Sequence, residues 1–168
     1  MEIHFNFHQK YCVGCNSCVI ACINEKELDI DEVLPFRKTF KTESNRKNKV
    51  RIKYYSTGCM HCQDPICVKV CPKKCFTIDA HTKLVQLDSE NCVGCKKCSA
   101  SCEFKAIQFI AADKAAKCDG CLERILLGQL PACVKACPRK AITINEKNEV
   151  LKNGCESLRK VVRKQKNI

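Results

Sequence analysis

Apolar and polar residues alternate from Glu2 to His8, with Ile3, Phe5 and Phe7 on one face, the period-two pattern of a strand. After Cys18 the run VIACINEKE suits a helix. Pro35 to Phe40 and Val50 to Tyr55 predict extended segments around the polar run KTESNRKN. That run reads as a solvated hairpin tip or as a docking patch for an acidic partner surface. FTID and LVQL predict a β-hairpin around AHTK. Towards the C-terminus Leu151, Cys155, Leu158 and Val162 recur at helical spacing with basic residues between them. They predict an amphipathic helix that either packs back on its own module or serves as a docking arm. No window holds the roughly 18 consecutive apolar residues that a membrane span needs.

The punctuation of these elements is cysteine. The first quartet, Cys12, Cys15, Cys18 and Cys22, is spaced C-x2-C-x2-C-x3-C. It recurs almost literally eighty residues on as Cys92, Cys95, Cys98 and Cys102, with the same Val-Gly pair. A second type begins with C-x2-C and ends in C-x3-C-P: Cys59, Cys62, Cys67 and Cys71, then Cys118, Cys121, Cys133 and Cys137. PICVKVCPKKCFTID lies over PACVKACPRKAITIN at an offset of 66, so the units are duplicates rather than scattered ligands. Cys75 falls where the sister repeat has Ala141, and Cys155 stands outside any quartet. Neither is expected to be a ligand, since free Cys packs as a small hydrophobe. Of 18 cysteines, sixteen remain.

Such a number means disulfides in an oxidising compartment or metal in a reducing one. The N-terminal MEIHFNFHQK has neither the apolar stretch of a secretory signal nor a twin-arginine pair. The chain is therefore expected to be soluble and cytoplasmic, unless a partner with its own export signal carries it across folded. Zinc sites combine two separated pairs and need no third cysteine at the next x2. The double x2 spacing and the Cys-Pro endings are the ferredoxin pattern, in which three neighbouring thiolates bind one [4Fe-4S] cube and the fourth ligates the other cluster. With every quartet complete, four [4Fe-4S] clusters and no three-iron variant are expected.

Length and charge agree. A chain of 168 residues suits one compact unit or two small ones, yet it has no Trp and 6% aromatic residues, a thin core unless clusters fill it. The formal charge is +12; each cube with its four thiolates contributes about −2, leaving the loaded protein at about +4. The residual basic runs, 37 to 53 and 159 to 166, interleave almost no aromatics, which argues against nucleic acid as a partner. His61, between Cys59 and Cys62, can hydrogen-bond to cluster sulfur and raise that cluster's potential, or be a packed or solvated residue. His4, His8 and His81 carry no recognisable spacing, and no paired carboxylates, nucleophile-base set, phosphate loop or dinucleotide fingerprint is present. No catalytic residue is expected, and a non-enzymatic electron carrier is.

Over roughly residues 3 to 146 the chain resembles the four-cluster iron-sulfur subunits of the dimethyl sulfoxide reductase class of molybdenum and tungsten enzymes. That family includes the small electron-transfer subunits of formate dehydrogenases, formate hydrogenlyases and related anaerobic hydrogenase complexes. The quartet order, CMHCQDPIC and KCDGCLER...GQLPAC carry the resemblance. Glu103 departs from it, standing where many relatives have Pro, and the long insertions and C-terminal extension of larger members are missing. The resemblance implies an α+β fold of two nested ferredoxin-like dicluster modules: residues 1-30 with 113-150, and an inserted 50-112. A basic hairpin or loop at 31-49 and a basic helix at 151-168 complete the division. It also implies the ligand sets Cys12, Cys15, Cys18 and Cys137; Cys118, Cys121, Cys133 and Cys22; Cys59, Cys62, Cys67 and Cys102; and Cys92, Cys95, Cys98 and Cys71. Spacing alone supports exchange of fourth ligands but leaves open which quartets pair. The function implied is a subunit of a hetero-oligomer that relays single electrons to or from a molybdenum or tungsten catalytic subunit, formate dehydrogenase first among them. The other end would meet a second redox partner, such as a hydrogenase or another iron-sulfur subunit. The alternative is a freestanding polyferredoxin that serves several oxidoreductases.

Overall fold

The computed structural model describes residues 2–46, 49–110, 113–144 and 158–165. Over them the chain runs β1 (Phe5–Phe7), a 3-10 turn at Gln9–Tyr11, α1 (Ser17–Glu25), β2 (Lys38–Arg46), β3 (Lys49–Thr57), α2 (Ile66–Val70), β4 (Phe76–Ile78) and β5 (Val85–Leu87). It continues with α3 (Lys97–Ser101), β6 (Ile107–Ile110), β7 (Lys114–Lys117), α4 (Leu122–Leu126), α5 (Ala132–Lys135) and β8 (Ile142–Ile144). Residues 158–164 are helical. This is a small mixed α+β fold of short elements joined by cysteine-rich loops. Helices of four to nine residues are marginal by themselves, so their stability comes from packing and from what the loops hold.

The strands form two-stranded antiparallel sheets, β1-β8, β2-β3, β4-β5 and β6-β7. Two of these are the same object built twice. In β4-β5 the register is Phe76↔Leu87, Thr77↔Gln86 and Ile78↔Val85. In β1-β8 it is Ile142↔Phe7, Thr143↔Asn6 and Ile144↔Phe5, each residue related to its counterpart by one of the two sequence offsets. The first sheet is a local hairpin; the second joins the N-terminal strand to a strand some 135 residues later.

β1 departs from simple alternation. Ile3, Phe5 and Phe7 are buried as expected, but Asn6 is buried too, because β1 lies between its sheet partner and the rest of the core. One apolar cluster gathers Ile3, Phe5, Phe7, Tyr55, Met60, Leu84, Phe104, Ile125 and Ile142; a second gathers Phe76, Val85, Ile107 and Ala115.

The hairpin is longer than its sequence suggests. Lys41 to Arg46 of the polar run belong to β2, paired in full register with β3 from Lys38↔Thr57 to Arg46↔Lys49. A two-stranded ribbon needs no apolar face when both faces meet water, so polar content does not mark a loop here. The hairpin ends at Thr57, so a boundary drawn at residue 50 would cut it. Its base is pinned by Phe40 stacked on Tyr55 at 5.2 Å and by Tyr54 over Gly14. A Cβ on Gly14 would run into the Tyr54 ring, and its φ of +70° is itself one that side chains disfavour.

In the C-terminal helical segment Leu158 and Val162 are fully buried in the first apolar cluster. Arg159 lies 5.4 Å from the Phe104 ring centroid and pairs with Glu103 at 3.1 Å, and Arg163 also pairs with Glu103. The acidic departure at Glu103 therefore anchors this segment to the chain's own surface. Leu151 and Cys155, which the helical pattern also includes, lie outside the described residues.

Candidate metal centre

The quartets do not close on themselves. Cys12, Cys15, Cys18 and Cys137 line one cavity, Cys59, Cys62, Cys67 and Cys102 a second, and Cys71, Cys92, Cys95 and Cys98 a third. The remaining four meet beside α1: the Cys22 thiol faces Cys118 and Cys133, as does that of Cys121. Each set takes three cysteines from one quartet and the last cysteine of another. The first quartet exchanges with the fourth, and the second with the third. Helix packing does this, since α1 lies against α5 and α2 against α3. Lys26–Asp119 at 2.8 Å and Arg124–Glu25 at 2.9 Å tie the end of α1 to the fourth quartet's loop.

Among the described residues no three Cys, His, Asp or Glu side chains converge on a point as a single metal ion would require. The thiols stand around cavities instead, a spread that fits a cube whose irons each take one thiolate better than a tetrahedral zinc ion. All the described cysteines are free thiols.

A short turn missed in the sequence shapes these sites. After Cys71, Cys102 and Cys137 the amide of the third residue on, Lys74, Lys105 or Lys140, donates to the cysteine carbonyl. Each of those lysines has positive φ, near +50°. The next amide, of Cys75, Ala106 or Ala141, then donates to the cysteine sulfur at 3.2 to 3.4 Å. Such N–H···S bonds favour the charged thiolate. The signal is present in CPKKC, CEFKA and CPRKA: a lysine and then a small residue. Cys75 thus occupies a position where Ala106 and Ala141 serve equally well, although its thiol borders the third cavity. Cys22 lies inside α1 and has no such turn; the Arg37 amide serves it instead.

Burial dominates the thiol chemistry. It pushes Cys67 and Cys121 up to about 12, and Cys22 and Cys62 to about 11, with neighbouring thiols adding to the shift. Cys15 of the first set and Cys95 of the third cavity are exposed. Arg37 is 3% exposed. Burial opposes its charge, but Cys133, Cys118, Cys18 and Cys22 more than offset that. The guanidinium thus sits between two thiol sets, as a fixed positive charge for both. Lys117 is buried and donates to the Val85 carbonyl at 2.6 Å and to the Cys118 carbonyl.

His61 is where sequence and structure part. Its place in the chain assigns it to the loop of Cys59 and Cys62. Its ring turns away and lies with the fourth quartet's loop, where the Cys118 thiol acts on it. Burial lowers its pKa and keeps the imidazole neutral.

Comparison with known proteins agrees with an iron-sulfur cofactor. Family models described as a 4Fe-4S dicluster domain match residues 50–147 and, separately, residues 11–75. The nitrate-inducible formate dehydrogenase iron-sulfur subunit of Escherichia coli is 35% identical over 158 residues, covering 83% of this chain and 53% of that one. The B subunit of the anaerobic dimethyl sulfoxide reductase of Haemophilus influenzae is 34% identical over 148 residues, 82% of this chain and 71% of that one. The formate dehydrogenase-O iron-sulfur subunit of Escherichia coli is 33% identical, with 51% of its length covered. The chain thus spans about half the length of the formate dehydrogenase subunits that it matches.

Proposed function

The chain belongs to the 4Fe-4S dicluster family, and we propose that it is a non-catalytic electron-transfer subunit of the formate dehydrogenase and dimethyl sulfoxide reductase type whose sixteen cysteines hold four clusters in one continuous wire. The observation that carries this reading is the exchange of fourth cysteines, which leaves four complete sets of four thiols. Cys12, Cys15, Cys18 and Cys137 would hold the first cube, and Cys22, Cys118, Cys121 and Cys133 the second. Cys59, Cys62, Cys67 and Cys102 would hold the third, and Cys71, Cys92, Cys95 and Cys98 the fourth. Two dicluster modules follow, the one between the chain's ends enclosing the other, and the doubled sheet register supports that nesting. Cys75 and Cys155 stay outside the ligand set.

Bound [4Fe-4S] clusters supply one-electron redox chemistry. The protein's own part is to hold them apart from water, through the burial of Cys22, Cys121 and Cys133. Arg37 and the sulfur-directed amides oppose the negative charge of each site. The ends of the wire are accessible: exposed Cys15 beside exposed Val13, and exposed Cys95 beside exposed Val93. A molybdenum or tungsten catalytic subunit, of the formate dehydrogenase kind, would meet one end. A second redox partner, a hydrogenase or another iron-sulfur protein, would meet the other. A reducing cytoplasm suits this many free thiols, and among the described residues no helix is long and apolar enough to cross a membrane.

Anaerobic purification from native cells, with iron and sulfide analysis, tests this. About sixteen irons per chain and a co-purifying oxidoreductase subunit at fixed stoichiometry are expected. A few zincs per chain with little iron would overturn the cluster reading. Recovery as a salt-independent monomer would favour the freestanding polyferredoxin instead.

A further inference from the structure

His61 belongs by sequence to the Cys59–Cys62 loop and by position to another site. Its φ is +45°, a left-handed conformation that turns the ring out of its own quartet. The ring is 2% exposed and stacks on Phe5 at 5.5 Å. Its Nδ1 accepts the Val85 amide at 3.0 Å, and a neutral imidazole with an accepting Nδ1 carries its proton on Nε2. That Nε2 is buried and stops short of a fully formed hydrogen bond, with the Cys118 thiol the side-chain partner that acts on it, a costly arrangement for a polar N–H until the bond closes. It points at the loop of Cys118. The place where Gly120 would carry a Cβ lies 3.2 Å from Nε2, and the Gly120 amide donates to the Cys118 sulfur at 3.3 Å. A side chain at Gly120 would fill the gap across which ring and sulfur face each other.

We propose that His61 is a positioning residue that acts between sites: its Nε2–H is held to donate to the Cys118 sulfur, so that a residue on the third site's loop sets the redox potential of the second. The inference rests on Cys118 being a cluster ligand, as proposed above. A hydrogen bond to a ligating sulfur grows stronger as the site gains negative charge, so it favours the reduced state and raises the potential. Phe5 and the Val85 amide fix the ring, so the donor is aimed before any cluster is bound.

The test uses the full chain, reconstituted anaerobically, with potentials followed by EPR. The second-site signal is the one that Cys118→Ser alters. His61→Asn suits the positive φ and keeps an acceptor for Val85, but removes the far N–H. It should lower the reduced-to-oxidised ratio of that signal about tenfold at fixed potential, a shift of about 59 mV for one electron, and leave the Cys59 site unchanged. His61→Gln, which returns an N–H near the Nε2 position, should restore the ratio. In wild-type protein labelled with 15N-histidine, pulsed EPR should detect a weakly coupled nitrogen at the reduced second site, a readout that requires no variant. An unlabelled second site, a shift confined to the Cys59 site, or equal ratios in His61→Asn and His61→Gln would each overturn the proposal. Iron well short of about sixteen per wild-type chain would instead defeat the four-cluster reading on which it rests.

Discussion

Cys67 and Cys121 show what burial does to a thiol in the cluster-free chain. Burial raises both to about 12, against an ordinary 9.0, so the cluster-free fold keeps them neutral. Unfolding returns them to the ordinary value, so between about pH 9 and 12 the unfolded chain binds fewer protons than the folded one and stability falls as pH rises. The stabilisation is fully present below pH 9. Denaturant midpoints of the reduced, cluster-free chain should therefore drop between pH 8 and pH 10.5, and a flat profile would contradict the burial of these thiols. Loading should reverse the sign, because ligation needs thiolates and releases protons.

At the scale of elements, the loops are held by contacts that leave little room. Gly14→Ala would put a methyl group into the Tyr54 ring and strain a φ of +70°. It should cost about 1–3 kcal/mol and loosen the Cys12 loop, read as a lower unfolding midpoint. The C-terminal segment is as closely bound. Leu158→Ala empties a fully buried position and should cost about 2–5 kcal/mol, measured by denaturation of the loaded protein. A loss below about 0.5 kcal/mol, the usual scale for surface changes, would mean that the segment does not pack on the chain in solution. The pairing of Arg159 and Arg163 with Glu103 adds only modest stability, being partly exposed, but it gives the acid at Glu103 a structural partner.

Over the whole molecule, the fourth quartet closes the fold. Cys118, Cys121 and Cys133 face Cys22, while Cys137 lines the cavity of Cys12, Cys15 and Cys18. Cys137→Ser should therefore cost the Cys12 site first, although the two lie over a hundred residues apart in the chain. EPR and iron content should show one site lost or converted while the Cys59 and Cys92 sites persist. An intact Cys12 signal would refute the exchange.

Much of this was legible in the chain. The sixteen cysteines, their exchange of fourth members and the short strands follow from local spacing, because three thiols within a few residues can wrap only a compact object. The two offsets even encode the paired registers of β4-β5 and β1-β8. Other features come from residues distant in sequence, and no local pattern records them. The sequence contained a polar run at 41 to 48, but only backbone pairing with β3 made its first six residues a strand. It contained a histidine between two cysteines, but only the approach of Gly120 and the Val85 amide turned that ring towards Cys118. Arg37 read as one more basic residue in a basic stretch, and only burial between two thiol sets made it a charge for both. Ligand type and spacing are local properties of the chain; which charges share a low-dielectric interior is decided by packing.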